Sequence, residues 1–201
     1  MVSEEEIVAY HESGHLVIGY RSGVARPYEF TMDLEHAQLD GYIEAEENDE
    51  MPRAAEALVR TAFAGPLAEM KRQAIDAIGE GASFDLTDDA VDLLSLTGHQ
   101  GQVRLRFVRD GGVHELTHEA AAFATDIGRV LRLIWKGFLT EAQVLEELKV
   151  VRSELDTAHI WSQVTRAAEL LLTAPKWNVK RQGFHARTID TLLAELDKLH
   201  P

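Results

Sequence analysis

The stretch Ile7–Gly19, with the sequence IVAYHESGHLVIG, decides how the chain begins to fold. Ser3 and Glu6 stand just before it at the spacing of a capping box, so a helix is expected to start there. Four residues turn a helix by about 400°, so His11 and His15 project from one face and can bind one ion. The flanking apolar residues would bury this helix. Burying polar imidazoles costs free energy unless they have partners, so their presence on a buried face indicates a function such as metal binding. The stretch therefore predicts a buried helix that carries a metal site.

The pattern from His11 to His15 also contains a candidate catalytic group, Glu12. A carboxylate beside the first histidine can reach a water on the metal without binding the metal, which is the position of a general base. The chain has no cysteine, so the ligands must be His, Asp or Glu. Zinc is the expected cofactor, because it lowers the pKa of a bound water to roughly 7.

Catalytic zinc usually takes three protein ligands, so a third must come from elsewhere in the chain. Glu69 and Asp85 are the candidates, and spacing alone leaves both open. The segment His114–His118 has the same pattern, HELTH, but it follows two glycines and has no apolar run before it. It is expected to be a solvated turn of helix, outside the catalytic site.

The expected fold is mainly α (α+β), with a small antiparallel sheet near the metal-binding helix. A chain of 201 residues fits a single domain, 1–201, with a metal-site half at 1–96 and a helical half at 97–201. The other predicted elements are strands at Tyr28–Leu34, Gly41–Ala45 and Gln102–Val108, a helix at Arg53–Ile78 that Pro66 kinks or splits, a helix ending near Leu96, and helices at Ala120–Phe138, Val144–Leu155, Ile160–Leu172 and Ile189–Leu199.

Charge and hydropathy exclude several classes of partner. Thirty-four acidic against twenty basic residues give a formal charge of −14, which repels nucleic acid and anionic membrane surfaces. No apolar run approaches the ~20 residues of a membrane span, and no glycine-rich loop for ATP phosphates is present. We expect a cytoplasmic protein with neither a nucleic acid nor a membrane partner; a homo-oligomer stays open.

Three segments together resemble the peptidase domain of the FtsH family of ATP-dependent zinc proteases, without its ATPase module or membrane anchor. They are Ala9–His15 (AYHESGH), Ala64–Glu69 (AGPLAE) and Gly81–Leu86 (GASFDL). The resemblance implies that Asp85 is the third zinc ligand. It also implies that Glu69 accepts the ring N–H of a ligand histidine and so orients it.

The function that the resemblance implies is a zinc-dependent metalloendopeptidase. Its polypeptide substrates would be unfolded segments or peptides, hydrolysed by a metal-activated water. The alternative is a catalytically inactive pseudo-protease that keeps zinc and serves as an interaction or adaptor module. The chain departs from the family pattern at Pro66, Met70 and Phe84, which stand in place of Arg, Glu and Asn.

Overall fold

The computed structural model describes residues 2–22, 25–32, 38–43, 51–87, 102–119, 121–173, 182–183 and 198. Within these ranges lie five helices and two small sheets, which confirms the mainly helical α+β class. The helices are α1 (Glu4–Arg21), α2 (Met51–Ile78), α3 (Ala121–Trp135), α4 (Glu141–Asp156) and α5 (Ala158–Thr173). The strands are β1 (Ala25–Met32), β2 (Gln38–Ile43), β3 (Ser83–Phe84), β4 (Gln102–Arg109), β5 (Gly112–Glu119) and β6 (Gln182–Gly183). The predicted helices ending near Leu96 and spanning Ile189–Leu199 fall outside the described residues.

The first helix begins where its sequence predicts. Ser3 is the N-cap of α1, and its Oγ accepts a hydrogen bond from the backbone N–H of Glu6 at 3.2 Å. The carboxylate of Glu6 accepts a hydrogen bond from Arg72 Nε of α2 at 2.8 Å. The first turn of α1 is thereby both capped and tied to its neighbouring helix.

The second helix runs unbroken past its proline. Pro66 lacks the N–H that would bond to the carbonyl of Ala62, yet α2 is not split there and spans 28 residues in all. Its bounds differ from the prediction by two residues at the N-terminal end. A long helix beside α1 gives that helix an unbroken packing partner.

Helices α1 and α2 approach each other closely at Gly14. A Cβ at this position would lie 2.8 Å from the Cβ of Ala68 and would also clash with the backbone carbonyl of Ala64. Neighbouring residues of α1 are also buried, among them Leu16 and Val17. The absence of a side chain at Gly14 therefore sets the separation of the two helices.

Helices α4 and α5 complete the helical half against α1 and α2. Thr140 caps α4 and forms the predicted capping box with Gln143. Arg60 of α2 forms an ion pair with Glu147 of α4. On α5, the ring of Trp161 lies 5.5 Å from that of Tyr10 on α1, centroid to centroid. Both halves of the chain thus share one core.

Two three-stranded antiparallel sheets flank the helices. The predicted hairpin near α1 is present, since β1 pairs with β2 in a register that sets Pro27 opposite Gly41. The other sheet has the order β3-β4-β5. Asp110 and Gly111 connect β4 to β5, and both have positive φ, 50° and 78°. A two-residue turn of this kind matches the twist of paired strands.

The segment His114–His118 (HELTH), the second of the two similar patterns, lies on β5, so the expectation of a helical turn there is wrong. Leu105 opposite Leu116 and Phe107 opposite His114 define the register with β4. In a strand, four residues span about 13 Å, which is too far for His114 and His118 to bind one ion as a pair. The predicted strand Gln102–Val108, by contrast, is confirmed as β4.

The structure also bears on membrane insertion. Within the described ranges, no helix combines the length and the apolar character that crossing a bilayer requires.

The close approach at Gly14 leads to a stability prediction. Gly14→Ala should lower the free energy of unfolding of the metal-free protein by about 1–3 kcal/mol, because α1 and α2 must move apart to admit the methyl group. Gly128→Ala on α3 is the matched control, since its Cβ would meet nothing within 4 Å. That change should raise stability by about 0.5–1 kcal/mol through helix propensity. Urea unfolding in the presence of a chelator measures both, and equal midpoints for the two variants would contradict the prediction.

Candidate metal centre

The two histidines of α1 meet as the helical spacing requires. His11 Nε2 and His15 Nε2 are 3.1 Å apart, and the rings stand edge to face. Two imidazole nitrogens this close, on one side of a helix, offer two lone pairs to one ion.

Each imidazole is held through its other nitrogen by α2. His11 Nδ1 donates to Glu69 Oε2 at 3.0 Å, and His15 Nδ1 donates to the backbone carbonyl of Thr61 at 2.6 Å. A proton on Nδ1 leaves Nε2 as the lone-pair nitrogen, and such partners both orient a metal ligand and raise its basicity. The contact between Glu69 and a ligand histidine is the one that the resemblance implies.

A carboxylate from α3 completes the cluster. Asp126 Oδ2 lies 3.5 Å from His11 Nε2 and 3.4 Å from His15 Nε2. Of the described residues, His11, His15 and Asp126 are the set whose ligand atoms all lie within 4.8 Å of one another. Asp126 is not among the ligands expected from the sequence. In the sequence, Asp126 is the one charged residue in the run Ala120–Gly128. A charged group among residues that favour burial indicates a candidate site, as the polar residues among the apolar ones of α1 do.

The spacing of these three atoms fits a small transition-metal ion. With bonds of about 2.0–2.1 Å and tetrahedral geometry, neighbouring ligand atoms should be about 3.3–3.4 Å apart. The observed separations of 3.1, 3.4 and 3.5 Å surround that value. Two imidazoles and one carboxylate are also a donor set that zinc accepts, with a fourth position left for water.

Glu12 lies beside the cluster with an unsatisfied oxygen. Its side chain is 1% exposed, and Oε2 has no hydrogen-bond partner among the described residues. Leaving a buried carboxylate oxygen unpaired is costly, about 1–3 kcal/mol or more. Burial raises the pKa of Glu12, an effect that attraction to His15 and His11 partly offsets. A water on the metal would give this oxygen the partner that it lacks.

The pKa values of His11 and Asp126 are shifted in opposite directions, each toward the charged form. Burial disfavours a charge on His11, but hydrogen bonds to Asp126 and Glu69 outweigh it and raise the pKa of this imidazole to about 10. Burial would also raise the pKa of Asp126, yet attraction to His15 and hydrogen bonds from both histidines hold it well below its usual range. The surrounding carboxylates therefore favour a positive charge at the position between the two rings.

Gly65 of α2 leaves the space that the His15 ring occupies. A Cβ there would lie 2.6 Å from Cε1 of the imidazole and would also clash with Nε2, the candidate ligand nitrogen. Any side chain at this position would push His15 out of its place. The two glycines of the predicted motifs thus differ in effect, since Gly14 sets the helix separation and Gly65 makes room for the His15 ring.

Asp85 has other partners, and here the structure differs from the expected ligand set. Its Oδ1 accepts hydrogen bonds from the hydroxyl and the backbone N–H of Thr87, at 2.6 and 3.1 Å. Its Oδ2 lies 3.3 Å from Arg106 on β4. The hydrogen bond from the Thr87 hydroxyl, aided by Arg106, lowers the pKa of Asp85. With both oxygens engaged in this way, the carboxylate is not a member of the histidine cluster.

Exchanging each carboxylate for its amide distinguishes the two ligand assignments. Asp126→Asn should lower zinc affinity by more than the about 10–100-fold typical of losing a group that only orients a ligand. Asp85→Asn is the matched control and should keep wild-type affinity. Glu69→Gln should fall between them, because it weakens the orientation of His11. Competition with a chromophoric chelator measures all three, and loss of zinc in Asp85→Asn with retention in Asp126→Asn would reverse the assignment.

The raised pKa of His11 predicts how metal binding depends on pH. At neutral pH the metal-free cluster holds a proton on this imidazole, and a metal must displace it. Zinc affinity should therefore rise about tenfold per pH unit from pH 7 to 9 and level off as the pH passes the pKa of His11. Titration calorimetry in buffers of different ionisation enthalpy should show release of about one proton. An affinity that stays flat across this range would refute the prediction.

Comparisons with protein-family models, with curated proteins and with solved structures find no match to this chain.

Proposed function

We propose that the protein is a zinc-dependent metallopeptidase that hydrolyses peptide bonds with a water activated at the cluster on α1 and α3. One observation carries the proposal. Glu12 is a buried carboxylate whose Oε2 has no hydrogen-bond partner in the described part of the chain, and it adjoins two imidazoles and a carboxylate spaced for one ion. A purely structural zinc site would close its fourth position with a protein ligand and would need no such base.

Three residues would hold the ion in this proposal. They are His11 and His15 through Nε2 and Asp126 through Oδ2. When bound, zinc supplies a Lewis acid that polarises the substrate carbonyl and acidifies a water. The identity of the ligand side chains is enough to favour zinc over calcium or magnesium, which prefer sites made of oxygen atoms.

Glu12 is the proton carrier of the proposed reaction. Its free Oε2 accepts a proton from the water as the water attacks the carbonyl carbon of the peptide bond. Burial raises the pKa of this carboxyl group, so that it can hold the proton until the nitrogen of the leaving amine takes it. One group thus serves first as base and then as acid, and no second titratable residue is needed.

Glu69 and Thr61 keep the histidines in the geometry that the reaction requires. Their acceptor oxygens, at 3.0 and 2.6 Å from the two Nδ1 atoms, hold both rings in one tautomer. Both acceptors belong to α2, a helix fixed to α1 by close packing. The site is therefore built on two rigid elements, which favours a constant position of the ion during turnover.

The resemblance to the FtsH peptidase domain supports a polypeptide as the substrate. Of the three segments that carry it, the motif on α1 and the segment of α2 with Glu69 meet at the cluster. The third, Gly81–Leu86, does not, because its Asp85 is engaged by Thr87 and Arg106. Unfolded segments or peptides are the proposed substrates. The rival function is a zinc-binding adaptor without hydrolysis, and cleavage assays of the zinc-loaded wild type separate the two.

Glu12→Gln should bind zinc with nearly wild-type affinity and should lose hydrolysis by at least about 10²–10⁴-fold, the usual contribution of a general base. The amide keeps the shape of the side chain and cannot take a proton from water. Cleavage of a fluorogenic casein by the zinc-loaded protein measures the effect. Asp85→Asn is the control for a changed carboxylate outside the cluster and should remain active. Equal cleavage by Glu12→Gln and wild type would contradict the role of Glu12, and a zinc-loaded wild type that cleaves no polypeptide would favour the adaptor.

A further inference from the structure

Gln73 lies on α2 one helical turn after Glu69, the residue that orients the candidate ligand His11. Residues four apart share a helix face, so their side chains can meet. Gln73 Nε2 donates to Glu69 Oε1 at 3.3 Å, and His11 Nδ1 donates to Glu69 Oε2 at 3.0 Å. An ionised carboxylate only accepts hydrogen bonds, so the amide presents its NH₂ group to it. The two oxygens of one carboxylate thus receive one donor from α1 and one from α2.

This contact extends a chain of short distances that ends at the candidate metal position. His11 Nε2 lies 3.1 Å from His15 Nε2 and 3.5 Å from Asp126 Oδ2. The direction of the Nε2 lone pair depends on how the imidazole ring is turned, and the acceptor at Nδ1 sets that turn. Any freedom of the Glu69 carboxylate is therefore passed on to the nitrogen that would bind the ion.

The two candidate ligand histidines differ in how firmly their partners are held. His15 Nδ1 donates to the backbone carbonyl of Thr61 at 2.6 Å, and the helix itself fixes that oxygen. His11 Nδ1 donates instead to a carboxylate at the end of a side chain with three rotatable bonds. Holding such a side chain in one rotamer costs conformational entropy. Glu69 therefore benefits from a second contact in a way that the carbonyl of Thr61 does not.

The donor to Glu69 is a neutral amide, although two cations precede it on α2. Lys71 Nζ bonds to Asp156 of α4 at 2.7 Å, and Arg72 Nη2 pairs with Glu6 of α1 at 2.6 Å. Of these three consecutive side chains, the uncharged one bonds to Glu69. A cation there would compete with the imidazole for the negative charge, whereas an amide fixes the carboxylate and leaves its charge in place. That charge raises the basicity of the ring that is to bind the ion.

We propose that Gln73 is a positioning residue of the candidate metal centre, which holds the Glu69 carboxylate in the orientation that accepts the Nδ1 proton of His11. The inference rests on the zinc site of the proposed function and does not require hydrolysis. With the contact in place, the ligand geometry is present before the ion arrives. Without it, only a fraction of the molecules present Nε2 correctly, and the apparent zinc affinity falls by that fraction.

Zinc affinity of a single variant is the first test. Gln73→Met removes the donor with little change in side-chain length or helix propensity, and it should lower zinc affinity about 3–10-fold. Competition with a chromophoric chelator measures the change. Gln163→Met on α5 is the matched control, because its amide accepts from Arg21, which is outside the cluster, and its zinc affinity should stay that of the wild type.

A double variant decides whether Gln73 acts through Glu69. In a Glu69→Ala background the acceptor is gone, so Gln73→Met should change zinc affinity by less than about twofold. A loss of the same size in both backgrounds overturns the inference, because Gln73 would then influence the site by another route.

Proton exchange supplies a readout that a general loss of stability does not reproduce. In the zinc-loaded protein, NMR of nitrogen-labelled imidazoles follows the Nδ1–H protons of His11 and His15 separately. Gln73→Met should accelerate solvent exchange of the His11 proton at least about fivefold and that of the His15 proton less than about twofold. The reason is that the carbonyl of Thr61 does not depend on Gln73. Equal acceleration of both protons would indicate general loosening and would overturn the inference.

The outcomes also separate this inference from the proposed function. Wild-type zinc affinity together with wild-type exchange of the His11 proton in Gln73→Met overturns the inference and leaves the zinc site intact. A wild-type protein that binds no zinc overturns both. All of these measurements use zinc binding and none uses turnover, so the positioning role and the peptidase activity can fail independently.

Discussion

Two glycines allow α1 and α2 to meet more closely than side chains would permit. Gly14 removes a Cβ that would strike Ala64 and Ala68, and Gly65 removes one that would strike the His15 ring. Close packing at these positions brings the backbone of Thr61 and the carboxylate of Glu69 within hydrogen-bond distance of the histidines. The contact between α1 and α2 therefore determines both how densely the core packs and how the proposed ligands are oriented.

The cluster itself is expensive to bury. Glu12, His15 and Glu69 are all below a tenth exposed, and such groups cost several kcal/mol each unless they are paired. In the metal-free chain the proton on His11 offsets part of this cost, which is why its pKa rises to about 10. Among the described residues, Oε2 of Glu12 is left without a hydrogen-bond partner, so part of the cost is not offset. A cluster of carboxylates and imidazoles of this kind favours a cation between them.

A second buried ionic group explains why Asp85 lies apart from the histidines. Asp156 of α4 accepts from Lys71 Nζ of α2 at 2.7 Å and from the backbone N–H of Phe84 at 2.9 Å. The backbone N–H of Asp85 in turn donates to the carbonyl of Arg106 at 2.8 Å. The loop after α2 is thus fixed to α4 and β4, and the geometry of that loop sets the position of Asp85. A resemblance in sequence identifies the residue type but does not include these contacts.

Local patterns were enough for the elements with strong chemical signals. The cap at Ser3, the capping box at Thr140 and the 3.6-residue periodicity located α1, α4 and α5, because those forces act within one turn or one face of a helix. The dipeptide Asp110-Gly111 is an equally local signal, and it favours a hairpin. The helical interpretation of HELTH overlooked this turn, after which the chain continues as a strand. Local sequence also placed His11, Glu12 and His15 on one helix.

The tertiary structure decided which carboxylate joins them. Asp126 is 111 positions after His15, and no spacing rule operates over that distance. Its place depends on how α3 packs against α2 and on β5, which precedes it in the chain. Short-range hydrogen bonds and helical periodicity depend on residues that are close in the sequence. The contact of α1 with α3 depends instead on how the whole core packs.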